Sequence, residues 1–294
     1  FPLLIFIAVG AMCDFAPLIS NPKVFLFGLT AQMGIFLTMG LAMILGFNVF
    51  EAASIGIIGA ADGPTSIYVS SRFAPHLLGP ISVAAYTYMA LVPLIQPPVI
   101  MAITTKKERM IKMPPSYKVV TQRSLIMFPI IVTMIGGVIA PASISLLGFL
   151  MFGNLLRVSG VTERLSQAAQ NELANIVTIL LGFSISATMT AEKFVNISTL
   201  AIIGMGLVAF VLDTVGGVFT AKLVNLFLPK DKKINPMIGA AGISAFPMSA
   251  RTIQKMGQKA DPSNFLLMHA IGANVAGQIG SVLAGGVLLA YLGG

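Results

Sequence analysis

Residues 55–66 read Ile55-Gly-Ile-Ile-Gly-Ala-Ala-Asp-Gly-Pro-Thr-Ser66, an apolar run that ends in a carboxylate flanked by helix-breaking Gly and Pro. A charge near the centre of a bilayer costs at least ~2.5–3.5 kcal/mol, so an intramembrane acid is by default part of an ion or proton pathway. Unwound backbone at membrane depth survives only where it is packed in protein or lines a polar cavity, as in the cation sites of ion-coupled transporters. The stretch therefore predicts a broken membrane helix with Asp62 at a cation site.

The composition of the chain is that of an integral membrane protein. Of its 294 residues, 56% are hydrophobic and only 10% are charged, and the mean hydropathy is +0.92. Soluble domains average about 25% charged residues. Continuous apolar stretches such as Val24–Phe47 exceed the ~20 residues that a spanning helix needs. We therefore predict an all-α, polytopic transmembrane protein in which residues 1–294 form a single membrane domain.

Apolar runs separated by polar or Gly/Pro-rich breaks define the candidate helices. Full spans are expected near 1–12, 24–47, 77–104, 124–140, 143–158, 173–191, 199–228 and 264–292, and shorter broken segments near 51–71 and 236–250. The Gly-containing stretch 143–158 fits either a span or a re-entrant hairpin. Because the chain starts at Phe1 inside an apolar run and not at a methionine, we expect it to be truncated at its N-terminus.

Basic residues are concentrated in two loops. Six Lys or Arg residues and one acid, Glu108, lie between Lys106 and Arg123. A second cluster is formed by Lys230, Lys232 and Lys233. Short loops rich in Lys and Arg stay in the cytoplasm, so we assign both loops there, with an even number of crossings between them. The first loop is also suited to dock a soluble partner or anionic lipid. Nucleic-acid binding is not expected, because the basic residues lack interleaved aromatics or a recognition motif.

An internal repeat links the two halves of the chain. Ile58-Gly-Ala-Ala-Asp-Gly-Pro-Thr-Ser66, followed by Arg72, resembles Ile238-Gly-Ala-Ala-Gly-Ile-Ser-Ala-Phe-Pro247, followed by Arg251. Small residues are common in membrane helices because they allow close packing, so the shared Gly-Ala-Ala string alone is weak support. Paired segments interrupted by Gly and Pro are the better signal, since they mark binding sites at repeat interfaces. We predict inverted repeats, the first over about 1–123 and the second over about 124–294.

Oxygen donors surround the two broken segments. Hard cations select oxygen ligands, and one carboxylate balances one positive charge. The candidate ligands of a sodium ion are Asp62, Thr65, Ser66, Tyr88, Asn235, Ser244 and Asn274. Thr65 and Ser66 are individually as well explained by hydrogen bonds to helix carbonyls. A second acid in an apolar run, Asp213, is either the partner of a Lys or Arg or a second relay carboxylate.

Longer strings in both halves carry a family resemblance. In the first half they are Gly59-Ala-Ala-Asp-Gly-Pro-Thr-Ser-Ile-Tyr-Val-Ser70, Ala84-Ala-Tyr-Thr-Tyr-Met-Ala-Leu-Val-Pro-Leu-Ile-Gln-Pro-Pro98 and Thr104-Thr-Lys-Lys-Glu-Arg109. In the second half they are Ile234-Asn-Pro-Met-Ile-Gly-Ala-Ala-Gly-Ile-Ser-Ala-Phe-Pro-Met-Ser-Ala-Arg251 and Asn264-Phe-Leu-Leu-Met-His-Ala-Ile-Gly-Ala-Asn-Val-Ala-Gly277. Over essentially its whole length the chain resembles the β subunit of the sodium-pumping biotin-dependent decarboxylases. Members of that family are longer at the N-terminus, which agrees with the expected truncation.

The resemblance implies an enzyme of the translocase class, the membrane subunit of a decarboxylase sodium pump. Such a subunit takes carboxybiotin from a carrier protein, decarboxylates it, consumes a proton and exports sodium ions from the cytoplasm. The implied partners are a carboxyltransferase subunit, a biotin carrier protein and a small membrane γ subunit. The implied setting is an oligomeric complex in the bacterial inner membrane, with no biotin attached to this chain.

The resemblance also implies roles for residues at matching positions. The implied catalytic residues are Asp62, Tyr88, Ser244 and Arg251. The implied sodium ligands are Asp62, Tyr88, Asn235, Ser244 and Asn274. Arg251, whose guanidinium offers a planar fork of donors, is implied to hold the carboxylate of carboxybiotin, with Asn235 and Gly239 beside it.

The residues alone fit a second class of protein equally well. A sodium-coupled carboxylate carrier or a sodium/proton antiporter also uses repeats and broken helices, and only the family strings separate it from a decarboxylase pump. A carrier works as one polypeptide, whereas the pump needs partner subunits. A channel is disfavoured, because a single acid offers no ring of charges unless the protein oligomerises.

Overall fold

The computed structural model describes residues 1–114, 119–187, 189, 196–229 and 232–293. Within these residues the regular secondary structure is entirely helical, as the sequence predicted. The helices are α1 Pro2–Met12, α2 Ala16–Ser20, α3 Phe25–Thr30, α4 Met33–Ile44, α5 Val49–Gly56, α6 Gly63–Phe73, α7 Leu78–Ile103, α8 Lys106–Arg109, α9 Gln122–Ile139, α10 Ile144–Val158, α11 Glu163–Ala168, α12 Ala174–Ser186, α13 Ile197–Phe227, α14 Met237–Ala240, α15 Met248–Ala260 and α16 Leu267–Leu292. Short 3-10 or π segments join several of them, at Pro22–Val24, Ile57–Ala60, Pro75–Leu77, Pro141–Ser143 and Ala169–Leu173.

Six helical stretches of the described chain are long and apolar enough to cross a membrane. They are Pro22–Ile44, Pro75–Ile103, Gln122–Ile139, Pro141–Val158, Ile197–Phe227 and Leu267–Leu292. This confirms a multi-pass membrane protein. Because Pro141–Val158 runs without a break, the stretch 143–158 is a span and not a re-entrant hairpin. Full spans were also expected near 1–12 and 173–191. The structure has helices there, but α1 with 11 residues and α12 with 13 are shorter than a span and are not among the six. Residues 188, 190 and 191 lie outside the described residues.

The first broken segment is a helical hairpin over residues 49–73, called here the first hairpin. It starts as α5, where Asn48 opens a capping box, and returns as α6. Between them Ala61 has a left-handed backbone (φ 53°), and the Gly-Pro pair that follows starts a new helix. The rings of Phe50 and Phe73 lie 5.5 Å apart. Both ends of the first hairpin therefore lie at the same end of the helix bundle.

The second broken segment is also a hairpin, over residues 237–260, and is called here the second hairpin. It consists of α14, an irregular turn and α15. Both of its ends are fastened to the basic loop that follows α7. The side-chain amides of Asn235 and Asn264 donate to the carbonyl of Arg109 at 2.9 and 3.1 Å. The second hairpin therefore starts and ends beside this loop.

The two hairpins enter the bundle from opposite ends. α7 follows the first hairpin almost directly, and its 26 residues, about 39 Å long, end at the basic loop. The ends of the first hairpin are thus a full helix length away from the loop that holds the second. Their tips meet inside the protein, where the backbone N–H of Ser244 donates to the carbonyl of Ala60 at 3.0 Å.

A helix, hairpin, helix order occurs twice in the chain. The first unit consists of Pro22–Ile44, the first hairpin and Pro75–Ile103. The second consists of α13, the second hairpin and α16. Two such units with hairpins from opposite ends are the arrangement that inverted repeats produce.

Both basic loops lie at one end of the bundle, as the charge pattern predicted. Near the end of α13, Lys222 pairs with Glu108 of the first loop at 3.0 Å. Lys232 and Lys233 follow in the second loop. Lys230, which belongs to the predicted basic cluster, lies outside the described residues.

Candidate ion-binding site

Asp62 lies at the tip of the first hairpin, where it is the N-cap of α6. Its carboxylate accepts hydrogen bonds from the hydroxyls of Thr65 at 2.6 Å and Ser281 at 2.8 Å, and from the Thr65 backbone N–H at 3.3 Å. The side chain is buried, and none of the ion pairs in the described part of the chain includes it. Hydroxyls and a helix N-terminus thus surround this carboxylate. A bound cation would supply a charge partner for it.

Ser66, one turn further along α6, serves the backbone instead. Its hydroxyl donates to the carbonyls of Asp62 at 2.9 Å and Ile57 at 3.3 Å. The Ile57 carbonyl lies before the helix break and the Asp62 carbonyl after it, so the Ser66 hydroxyl joins the two sides of the break. The Asp62 carbonyl also accepts the backbone N–H of Ser66 at 3.0 Å. Ser66 therefore stabilises the backbone at the helix break, whereas Thr65 contacts the carboxylate of Asp62.

Ser244 forms the tip of the second hairpin and is held from two sides. Its backbone N–H bonds to the first hairpin at Ala60. Its hydroxyl donates to the carbonyl of Gly277 in α16 at 2.7 Å, and the side chain of Gln278 donates to its carbonyl. The tip is thus fixed between the first hairpin and α16.

One face of α16 touches both hairpin tips. Asn274, Gln278 and Ser281 are spaced four and three residues apart, so they share one side of the helix. The Asn274 amide donates to two backbone carbonyls of the second tip at 3.1 and 2.6 Å, whereas Ser281 reaches Asp62 in the first. Sequence reasoning identified Asn274 but missed Gln278 and Ser281. Their helical spacing from Asn274 was the signal that pointed to them.

Two buried amide oxygens beside the second tip have no hydrogen-bond donor among the described residues. The Asn274 amide nitrogen donates to tip carbonyls, and its Oδ1 accepts no hydrogen bond. Gln32 shows the same pattern. Its amide nitrogen donates to the carbonyls of Gly28 at 3.0 Å and Gly242 at 3.4 Å, whereas its Oε1 has no hydrogen-bond donor. Buried acceptors are rarely left unpaired, and a cation satisfies them. Gln32 was also missed, although it is the single amide side chain in the apolar run Val24–Phe47.

The tyrosine beside the first tip is Tyr86 and not Tyr88. The Tyr88 hydroxyl donates to the carbonyl of Ile203 in α13. Two residues earlier, the Tyr86 ring lies against Gly63, where an added Cβ would come within 2.7 Å of the ring. The structure therefore places Tyr86 next to Asp62, and it does not bring the hydroxyl of Tyr88 to that carboxylate.

The remaining predicted residues lie along the second hairpin and away from its tip. The Asn235 amide donates to two carbonyls of the basic loop, both at 2.9 Å, because it precedes the hairpin at the loop end. Gly239 packs against Gly217 of α13, and Arg251 is exposed in the first turn of α15. Of the predicted site residues, the structure brings together Asp62, Ser244 and Asn274 and leaves Tyr88, Asn235, Gly239 and Arg251 outside that cluster.

Asp213 accepts a backbone N–H, and no Lys or Arg of the described residues pairs with it. It is buried in α13 and accepts the N–H of Gly34 at 2.5 Å, so it caps the N-terminus of α4. Its Oδ2 has no donor, and no Lys or Arg pairs with it in the described part of the chain. The partner of Asp213 in the structure is therefore the N-terminus of a helix, whereas one alternative from the sequence was a Lys or Arg side chain.

Comparison with known proteins gives a consistent result over the whole chain. The family model for the Na+-transporting oxaloacetate decarboxylase beta subunit matches residues 1–292. The chain is 56% identical to the methylmalonyl-CoA decarboxylase subunit beta of Propionigenium modestum, over 100% of this chain and 74% of that protein. It is 55% identical to the glutaconyl-CoA decarboxylase subunit beta of Acidaminococcus fermentans, over 100% and 78%. It is 53% identical to the oxaloacetate decarboxylase beta chain of Klebsiella pneumoniae, over 99% and 68%.

The names of these relatives contain three different substrates, and the chain is nearly equally identical to all three proteins, so the comparison does not select a substrate. What they share is the type of subunit, and that is also what the sequence strings indicated. The chain belongs to the family of β subunits of the Na+-transporting decarboxylases.

Proposed function

We propose that this β subunit releases carbon dioxide from carboxybiotin and couples the reaction to the export of sodium ions, with consumption of one proton. The observation that carries the proposal is the contact between the two hairpin tips. It gathers Asp62, Ser244 and Asn274 inside the bundle, between hairpins that enter from opposite ends. An ion held there is separated from each end of the bundle by a different hairpin.

The proposed sodium site lies where the tips meet. Asp62 supplies the negative charge, and the donor-free oxygens of Asn274 and Gln32 are candidates for neutral ligands. Oxygen ligands of this kind suit a hard monovalent cation. The hydroxyls of Thr65 and Ser281 now donate to the carboxylate, but a hydroxyl rotates and also has two lone pairs to offer an ion.

Inverted repeats explain how such a site changes sides. We assign the repeats to the halves 1–123 and 124–294, with the two helix, hairpin, helix units as their cores. In repeat-built transporters, one repeat moves against the other around a fixed site, which opens to one side of the membrane at a time. The same arrangement serves the pump proposed here.

The chemical step consumes a proton and supplies the driving force. Carboxybiotin carries a carboxylate on a ureido nitrogen. When the C–N bond breaks, carbon dioxide leaves and the electron pair stays on nitrogen, which takes up the proton. Arg251, with its planar fork of donors, holds the carboxylate before this step. Moving one charge against 100 mV costs ~2.3 kcal/mol, so sodium export requires coupling to a favourable reaction.

Partner subunits deliver the carboxyl group. We assign its transfer to a carboxyltransferase subunit and its transport to a biotin carrier protein, in a complex that includes a small membrane γ subunit and lies in the bacterial inner membrane. Biotin is not assigned to this chain. The short string Ile111-Lys-Met113 has a faint likeness to a biotin attachment site. Its Lys112 pairs with Asp261 at 3.0 Å, which is evidence against attachment of biotin there.

Release of carbon dioxide from free carboxybiotin tests the proposed function. We expect the purified β subunit to release it at a rate that rises with added NaCl and not with KCl at equal ionic strength. Sodium binding without carbon dioxide release would favour the alternative, a sodium-coupled carboxylate carrier or sodium/proton antiporter. Release that is independent of sodium would refute the coupling.

Asp213 is expected to act as a helix cap and not as an ion carrier. Asp213→Asn keeps an oxygen for the Gly34 N–H, so sodium-dependent carbon dioxide release should stay within about threefold of the unsubstituted protein. Asp213→Ala leaves the buried Gly34 N–H unpaired and should destabilise the fold by about 1–3 kcal/mol. Initial rates and thermal unfolding of both variants measure these effects. Loss of sodium-dependent release in a stable Asp213→Asn protein would assign Asp213 to the ion or proton path instead.

A further inference from the structure

The returning arm of the second hairpin, α15, carries positive charge along one face. Arg251, Lys255 and Lys259 are spaced four residues apart, so they lie on one side of the helix. All three side chains are exposed. The opposite side of α15 is buried and consists of Ser249, Ala250, Thr252, Ile253 and Gly257. We call the row of three exposed residues the cationic face.

Two acids near the loop end of α15, Asp261 and Glu108, are already bound to other cations. Asp261 pairs with Lys112 and Glu108 pairs with Lys222, both at 3.0 Å. Hydrogen bonds from Ser263 and Lys112 lower the pKa of Asp261 to about 2, so it is ionised at neutral pH and held by these partners. None of the ion pairs in the described part of the chain includes a residue of the cationic face. Its three charges are therefore not compensated within that part.

The three charges make lipid tails unfavourable surroundings for this face. A Lys or Arg in hydrocarbon costs ~2.5–3.5 kcal/mol even on the most lenient scale, and the face contains three of them. Water or an anionic partner must therefore contact it. From Arg251 to Lys259 the face extends for about 12 Å, from the tip side of the second hairpin to the loop end.

We propose that the cationic face is the path along which the carboxylate of carboxybiotin approaches the hairpin tips, with Lys255 and Lys259 drawing the anion towards Arg251. The proposal rests on the proposed function, since it deepens how that reaction obtains its substrate. A row of like charges raises the local concentration of an oppositely charged substrate and its rate of association.

The residue types along the path suit successive tasks. Lysine is a flexible, strongly hydrated point charge, which suits brief contacts, whereas the arginine fork suits holding a carboxylate. Biotin attached to a lysine side chain is a long, flexible arm. An arm of that kind is able to follow a path along two turns of a helix while the carrier protein remains at the loop end.

Neutral substitutions along the path test the proposal. In the purified β subunit, we expect Lys255→Gln and Lys259→Gln each to lower kcat/KM for free carboxybiotin by about three- to tenfold at low salt, and the double variant to lower it further. The effect should fade at high ionic strength, because exposed charges are screened. The kcat at saturating carboxybiotin and the sodium concentration for half-maximal activity should not change. Lys255→Arg, which keeps the charge, should restore kcat/KM.

Lys23→Gln is the matched control. Lys23 is an exposed lysine in the turn Pro22–Val24, which packs beside the second turn of α16 at Gly272, and it lies outside the second hairpin. An unchanged kcat/KM in the double variant, or an equal loss in Lys23→Gln, overturns the proposal. The same variants are also assayed in vesicles with and without phosphatidylglycerol. A loss of activity that depends on the phosphatidylglycerol content and not on the carboxybiotin concentration assigns the cationic face to lipid headgroups and overturns the proposal as well. Absence of carbon dioxide release in the unsubstituted protein refutes the proposed function together with this inference, whereas normal release with unaffected variants refutes the inference alone.

Discussion

Asp62→Asn is expected to give a folded β subunit that has lost sodium-dependent decarboxylation. Asn is as good an N-cap as Asp, because its side-chain oxygen still accepts the Thr65 N–H. Its NH2 group then takes the place of Oδ2, and the hydroxyls of Thr65 and Ser281 rotate to accept from it, so the tip of the first hairpin keeps its shape. The variant loses the negative charge. Two unit charges 4 Å apart interact by about 4 kcal/mol at an effective dielectric constant of 20, so the sodium concentration for half-maximal activity should rise by about a thousandfold.

A sodium titration of carbon dioxide release measures this effect, and thermal unfolding in the absence of sodium checks the fold. Asp14→Asn is the matched control, since it removes a half-buried carboxylate that accepts the Ala16 N–H at 3.0 Å in the connection after α1. Asp62→Glu keeps the charge and should retain part of the sodium response. If Asp62→Asn titrates with sodium as the unsubstituted protein does, Asp62 is not the charge that binds the ion.

The features that sequence reasoning predicted correctly are those that local composition determines. The lengths of the apolar runs set the spans, and the Gly-Pro pair after Asp62 stands where a new helix, α6, begins. Basic loops identify one end of the bundle. Asp62 stood out because an acid in an apolar run is conspicuous without knowledge of its neighbours.

The relations across the bundle were beyond sequence reasoning because they join distant residues. The tips meet through a backbone bond between Ser244 and Ala60, and a backbone bond has no side-chain signature. Gln32 reaches a carbonyl 210 residues away, and Ser281 reaches a carboxylate 219 residues away. The family resemblance put Asn235 in the sodium site, whereas in the structure its amide fastens the basic loop to the hairpin.

Gly239→Ala is expected to lower the thermal stability of the protein, because α14 crosses α13 through a contact between two glycines. A Cβ added at Gly239 would lie 1.9 Å from the carbonyl oxygen of Gly217, and one added at Gly217 would lie 2.1 Å from the carbonyl oxygen of Gly239. Since both obstacles are backbone atoms, the helices must separate. Overpacking of this kind costs about 1–3 kcal/mol or more. Close crossings at small residues also provide much of the attraction between membrane helices, and that contact is lost.

Gly204→Ala is the matched control, because the same change in α13 meets no heavy atom within 4 Å. There Ala should be neutral or should stabilise the helix by about 0.5–1 kcal/mol, since Gly is a poor helix former. Thermal unfolding of the two variants should thus shift in opposite directions, although both add one methyl group to a helix. If Gly239→Ala unfolds like the unsubstituted protein but has a higher KM for carboxybiotin, the packing explanation is wrong. Gly239 would then belong to the carboxybiotin contact that the family resemblance implied.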